Sequence, residues 1–210
     1  MQFEVIDLGL IDYKSAERLQ KEILCGIKDN SAQSTLFICR HYPVITLGRS
    51  SRSSNILISA EELRARNIEV ANAGRAGDVT YHGPGQLTAY PVFNLNNFRK
   101  DIHFYLRKLE DVVINFLGDC QVTGQRRQGL TGVWANNAKI SSIGIAIRNW
   151  ISFHGVSVNI KKDDLVNFQA IRPCGMDIQV TSLESCLGED IEIGSVKKIL
   201  VDSFKSSFLS

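Results

Sequence analysis

The chain has 210 residues, enough for one sizeable core and short for two ordinary domains. Hydrophobic residues make up 44% and charged residues 22%, which excludes a wholly disordered chain. The formal net charge of +2 is too small to argue for a nucleic-acid partner.

The N-terminal string MQFEVIDLGLIDYK has no basic segment ahead of an apolar run, so it carries no secretory signal pattern. Phe3 to Leu8 reads as a strand. Tyr13 to Asn30 reads as a helix, with Ala16, Leu19, Ile23, Leu24 and Ile27 on one face. Thr35 to Cys39 and Val44 to Leu47 read as short strands, and Cys25 and Cys39 fit their apolar patterns as buried small side chains. Ser59 and Glu62 form a capping box that opens a short helix ending near Arg66. Ile68 to Ala71 is a strand. The segment from Gly74 to Gln86 is too rich in glycine for a helix. Leu87 to Val92 is a strand in which Pro91 predicts an edge or a bulge.

Asp101 to Leu117 is an amphipathic helix with Ile102, Leu106, Leu109, Val113 and Phe116 on its apolar face and Gly118 as the stop. Cys120 to Ile160 is β-rich, with Asn136-Asn137 as the hairpin turn. Two or three helices after Asp163 finish the chain. Strands and helices mix without strict βαβ alternation, and no linker or repeat interrupts them. The expected fold class is α+β, a mixed β-sheet flanked by helices, in a single domain over residues 1–210. No apolar stretch approaches the roughly 20 residues of a membrane span, so no membrane partner is expected. Five cysteines, odd in number and without a CxxC pair, predict free thiols in a cytoplasmic protein rather than structural zinc.

Three segments can carry chemistry. In the first, Gly74, Gly77, Gly83, Gly85 and Pro84 bracket Thr80, Tyr81 and His82. Glycine lets a ligand approach the backbone closely, but an ordinary surface turn has the same composition. The string is neither G-x-G-x-x-G before a helix nor a P-loop, so it holds no nucleotide fingerprint. The second is Lys139. Period-two alternation puts it on one face with Ser141, Ile143, Ile145 and Ile147, where an unpaired ammonium is costly. The competing reading is a lysine at a strand start that reaches solvent along its stem. The third is Cys174, between Pro173 and Gly175 in a turn rather than in a core strand. His41, His82, His103 and His154 lack metal-site spacing, so no metal is expected. His103 is a surface residue of its helix; His82 and His154, each before a glycine, are expected to be positioning groups.

Together these segments resemble one family. HYPVITLG (41–48), RAGDVTYHGPGQLTAYP (75–91), GVWANNAKISSIG (132–144), HGVSVNI (154–160) and PCGMDIQVTSL (173–183) are similar, in order, to the sequence blocks of the lipoyl(octanoyl) transferases. The resemblance implies the fold of the biotin and lipoate protein ligases and a catalytic pair of Cys174 and Lys139. It also implies acyl-substrate contacts at Arg75, Ala76, Gly77, Asp78, Val79, Thr80, Tyr81 and His82, at Ser142, Ile143 and Gly144, and at Gly155, Val156 and Ser157. Two positions depart from the family pattern, Ala76 for its usual glycine and Ser157 for its usual alanine; both are small for small.

The implied reaction needs no cofactor. Octanoyl-acyl carrier protein is the implied donor, and lipoyl domains of 2-oxoacid dehydrogenases and related proteins are the implied acceptors. Three rival readings differ in chemistry. An ATP-dependent lipoate or biotin protein ligase would activate a free acid as an adenylate and would not need the PCG cysteine. A Cys/His hydrolase would pair Cys174 with His82 or His154. A non-catalytic binding module would leave the placement of Lys139 and Cys174 unexplained.

Overall fold

Leu36 and Ile38 alternate with Phe37 and Cys39 along one strand, and the two pairs enter different core clusters, so this strand is buried on both faces. That strand is central to the architecture of the computed structural model, which describes residues 2–173 and 178–209. In chain order the regular elements begin with β1 (Glu4–Ile11), α1 (Tyr13–Lys28), β2 (Thr35–His41) and β3 (Val44–Leu47). α2 (Ala60–Ala65), β4 (Glu69–Asn72), β5 (Val79–His82), β6 (Gln86–Val92) and α3 (Ile102–Asp119) follow. β7 (Val133–Ala135), β8 (Ala138–Arg148), β9 (Ile151–Asn159), α4 (Leu183–Leu187) and α5 (Ile193–Phe208) complete the set.

The main sheet has six strands in the order β1-β2-β6-β9-β8-β7; β1 and β2 run parallel and the remaining pairs antiparallel. A smaller three-stranded sheet, β4-β3-β5, is also mixed. One face of the main sheet packs against α3 and α5 through Leu109, Val113, Phe116, Leu200 and Phe204. The other packs against α1 through Ala16, Leu24 and Ile27. The fold is therefore α+β, a mixed sheet flanked by helices, as the element pattern predicts. No helix among the described residues is long and apolar enough to cross a membrane.

Several local expectations hold for the reasons given. Ser59 and Glu62 make both bonds of the capping box. Asn136 and Asn137 both have positive φ, 48° and 65°, and Ala135 pairs with Ala138 across them, as a two-residue hairpin loop requires. His103 is exposed and Cys39 is buried.

Four expectations are corrected. Cys25 is exposed, because it sits one position beyond the buried Leu24 on the α1 surface. Pro91 lies in the central strand β6 and pairs with Leu36 of β2, although the ladder to β9 stops short of it at Ala89–Val156. The glycine-rich segment contains a real strand, β5, buried along its whole length. The β8 alternation is broken by a bulge: Trp134 pairs with Lys139 and Val133 with Ser141, so Ile140 is an extra residue. Lys139 therefore shares a face with Ser142 and Gly144, which line a cavity, and not with Ile145 and Ile147, which pack into the core; Ile143 packs against the core and also borders the cavity.

Candidate active site

A cavity of about 870 Å³ opens beside the main sheet. β6, β9 and β8 supply one wall: Thr88 and Tyr90, His154 to Ser157, Ser142 to Gly144, and Lys139. Arg75, Gly77, Asp78, Val79, Thr80 and His82 supply a second. The mouth carries apolar side chains from two further segments. Leu57 and Val166 there are 48% and 54% exposed, large values for apolar residues, with Leu165, Phe168 and Ile171 half-buried or buried nearby. The size and the mostly apolar lining suit a small acyl ligand.

Arg75 shapes the second wall. It is 7% exposed, and every guanidinium nitrogen donates to a protein oxygen. Nε donates to Thr46 Oγ1 at 3.3 Å; Nη1 donates to the carbonyls of Ala76 and Asp78 at 3.2 and 2.7 Å. Nη2 donates to the Thr46 carbonyl and to Thr46 Oγ1, both at 2.8 Å. The arginine thus clamps the 75–78 turn onto β3, and the Ala76 N–H adds a bond to the Ile145 carbonyl of β8 at 2.8 Å. Burial lowers the Arg75 pKa from its ordinary value, which the surrounding acceptors make tolerable.

The most enclosed part of the cavity is aromatic and uncharged. Tyr13, His82, Tyr90 and His154 line it, all at most 6% exposed. The Tyr13 and His154 rings are parallel within 3° at 6.5 Å, and Tyr13 and His82 within 10° at 6.3 Å. His41 stands behind them: its Nδ1–H donates to the Ile11 carbonyl at 2.9 Å, which leaves Nε2 to accept from the Tyr90 hydroxyl at 2.8 Å. Gln86 Nε2 donates to the Tyr81 carbonyl, so its Oε1 faces His82 Nδ1 at 3.2 Å. Burial is the first cause pressing all three histidine pKa values down, His154 to about 3. An alkyl chain entering here meets no ionised imidazole at neutral pH.

His154 itself has φ of +57° and sits at a distortion of β9, with its N–H held by Gln20 Oε1 at 2.7 Å. Gly155 follows, and only glycine fits: a Cβ there would overlap the Ala89 carbonyl oxygen and lie 2.6 Å from Pro91 Cδ.

Lys139 is half-buried at the other end of β8. Its Nζ lies 5.4 Å from the centre of the Trp134 ring, a cation–π distance. Its backbone pairs with the segment after residue 177: Lys139 N–H donates to the Gln179 carbonyl at 2.8 Å, and Thr181 N–H donates to the Lys139 carbonyl at 3.0 Å. Pro173 and Ile178 line the same cavity as Lys139. Cys174, the expected nucleophile, lies outside the described residues, as do Gly175, Met176 and Asp177.

The cavity thus gathers Lys139 with most of the substrate contacts expected from the sequence. Two of those are not on its wall: Ala76 is exposed, and the Tyr81 ring turns into a separate core cluster, where its hydroxyl accepts from Asn167 at 2.9 Å. Sequence reasoning missed Tyr13, Tyr90, Trp134 and the Leu165–Ile171 stretch. Trp134 and Tyr90 carried a signal in their places in the strings at 132–144 and 75–91; Tyr13 and the Leu165–Ile171 stretch lie outside the strings that resemble the family and carried none. Among the described residues no cluster of His, Cys, Asp and Glu could hold a metal ion.

Residues 12–205 match the family model described as lipoyl protein ligase A/B catalytic domain. The chain is similar to an octanoyltransferase of Syntrophotalea carbinolica, 41% identical over 204 residues that cover 97% of this chain and 93% of that one. Among solved structures it is similar to a bipartite lipoate protein ligase studied with its lipoyl domain, from Thermoplasma acidophilum. That likeness has a TM-score of 0.78 at 17% identity and covers 100% of this chain and 84% of the other. It is also similar to an Aquifex aeolicus biotin protein ligase, with a TM-score of 0.58 at 12% identity over 99% and 70% of the two chains.

Proposed function

The chain belongs to the lipoyl protein ligase A/B catalytic domain family and is an acyltransferase of the octanoyltransferase type, and we propose that it works through a thioester on Cys174. Octanoyl-acyl carrier protein is the donor, and a lysine of a lipoyl domain is the acceptor. The observation that carries this reading is the pairing of Lys139 with Gln179 and Thr181, together with the cavity lining by Pro173 and Ile178. The described residues on both sides of the Cys174 segment border the cavity that holds Lys139.

The Cys174 thiolate attacks the carbonyl carbon of the donor thioester, and the donor's thiolate leaves and takes the proton that the Lys139 ammonium gives up, so Lys139 enters the second step neutral. The energy of one thioester is kept in another. The acceptor amine then attacks the acyl-enzyme, loses its proton to neutral Lys139, and expels the Cys174 thiolate. Before acylation Lys139 is an ammonium. An ammonium about 4 Å from a thiolate, at an effective dielectric near 20, would favour the thiolate by up to about 4 kcal/mol. A third of that lowers a thiol pKa by about one unit from roughly 8.5. Acylation removes the negative charge that held the lysine proton, so the same group becomes the base of the second step. The two therefore titrate as a pair.

The uncharged Tyr13–His82–His154 end of the cavity suits the alkyl chain, each buried methylene contributing about 0.8 kcal/mol. The test is transfer of octanoate from octanoyl-acyl carrier protein to a lipoyl domain without ATP or Mg²⁺. The expected rate equals that with both present. A strict ATP requirement would replace this reading with that of a ligase.

A further inference from the structure

Glu110 projects from α3 with its side chain 1% exposed. A carboxylate so placed costs several kcal/mol unless its oxygens are met. Oε2 is met by Arg107 Nη1 at 2.6 Å and Arg126 Nε at 2.7 Å. These arginines are 54% and 35% exposed, so they reach inward from the rim. Oε1 is met by a backbone group instead, the Gly132 N–H at 3.2 Å.

Gly132 is where this carboxylate touches the chemistry. Its φ is +135°, a conformation that glycine adopts readily and other residues rarely do. Its α-carbon packs directly against Lys139. A methyl group on it would lie 2.8 Å from Lys139 Cε, 3.4 Å from Lys139 Nζ and 2.7 Å from the Ser141 carbonyl oxygen. The backbone at Gly132 is thus one side of the slot that holds the Lys139 side chain, and the Trp134 ring is another. Leu130 and Thr131, just before it, line the cavity. Arg126 fastens the start of the same loop to α3 through Glu110, Asp111 and the Arg107 carbonyl.

We infer that Glu110 is a positioning residue for Lys139: through the Gly132 N–H it fixes the wall that aims the Lys139 amine into the cavity. The inference rests on the reading of Lys139 as the base of acyl transfer. It assigns to the α3–loop contact a part in the reaction beyond holding the loop down.

A double-mutant cycle on the full chain tests it, with Glu110→Ala, Lys139→Ala and the double variant. Two quantities are read: the rate of octanoyl transfer to a lipoyl domain, and the pH profile of Cys174 alkylation. Glu110→Ala is expected to slow transfer about ten- to a hundredfold, the scale of a displaced catalytic group, and to move the alkylation profile in the same direction as Lys139→Ala. In the Lys139→Ala background it is expected to add less than about twofold. Glu110→Gln, whose amide oxygen still accepts the Gly132 N–H, is expected to recover most of the rate. If Glu110→Ala fails to fold, Arg126→Met loosens the same loop and is expected to show the same lack of additivity with Lys139→Ala. Effects that multiply, or an unmoved alkylation profile, would reduce Glu110 to a structural group. Normal transfer by Lys139→Ala would instead remove the catalytic reading of Lys139 itself.

Discussion

Replacing Arg75 by lysine separates a scaffold arginine from a ligand-binding one. The substitution keeps the charge and most of the stem but exchanges a planar fork of donors for three donors at one point. Five bonds now leave the guanidinium, to Thr46, Ala76 and Asp78, in a site only 7% exposed. An ammonium can keep at most three of them. Two lost bonds from a charged donor, at roughly 1.5–3 kcal/mol each and partly recovered by relaxation, give a loss of about 3 kcal/mol. For a chain of this size that is a fall in Tm of roughly 6–12 °C. The assay is thermal unfolding with and without an octanoyl thioester, beside steady-state transfer. A fall in Tm of that size, equal in both conditions, is expected. A Tm within about 2 °C of wild type together with a large loss of donor binding would refute the scaffold reasoning and make Arg75 a direct ligand contact.

Acid should destabilise the fold through its buried histidines. Unfolded imidazole titrates near 6.5, whereas burial holds His154 at about 3 and also lowers His41 and His82. Below about pH 6.5 the unfolded chain binds protons that the folded chain refuses. Stability should therefore fall with pH by up to about 1.4 kcal/mol per unit for each such histidine, and a urea midpoint unchanged between about pH 7.5 and pH 5 would contradict this. Gly155→Ala should cost about 1–3 kcal/mol by chemical denaturation, because the added methyl meets Ala89 and Pro91 across β6; a neutral result would mean that the strands can part cheaply. Val166→Asp, at an exposed apolar position of the cavity mouth, should raise the KM for the acyl donor and change stability by no more than about 0.5 kcal/mol; an unchanged KM would place the donor's path elsewhere.

The helices were legible in the sequence because their signals are local. The Ala16–Leu24–Ile27 stripe and the Ser59–Glu62 box need only neighbours within two turns, and both are in place. β5 was hidden because Thr80, Tyr81 and His82 read as polar loop residues; they are buried by Tyr13, His41 and Phe168, which come from distant parts of the chain. The face of Lys139 was misread because a single bulged residue, Ile140, reverses the parity of everything after it. Glu110 left a trace in the sequence, a carboxylate beside Leu109 and Val113 on an apolar stripe, but its partner Gly132 lies 22 residues on and no helix pattern connects them. The site residues came from the resemblance of short strings, taken in order, to one family; their composition alone fitted a surface turn and a strand-end lysine equally well. The aromatic wall of Tyr13 and Tyr90 was missed, because a buried tyrosine in a helix or strand looks like any core residue.

Intact-protein mass after mixing with octanoyl-acyl carrier protein, in the absence of ATP and acceptor, tests the thioester chemistry most directly. The wild-type chain should gain the mass of one octanoyl group on Cys174 and lose it when a lipoyl domain is added. Cys174→Ala should gain nothing. A wild-type chain that stays unmodified, or an octanoyl adduct that persists in Cys174→Ala, would contradict a Cys174 acyl-enzyme.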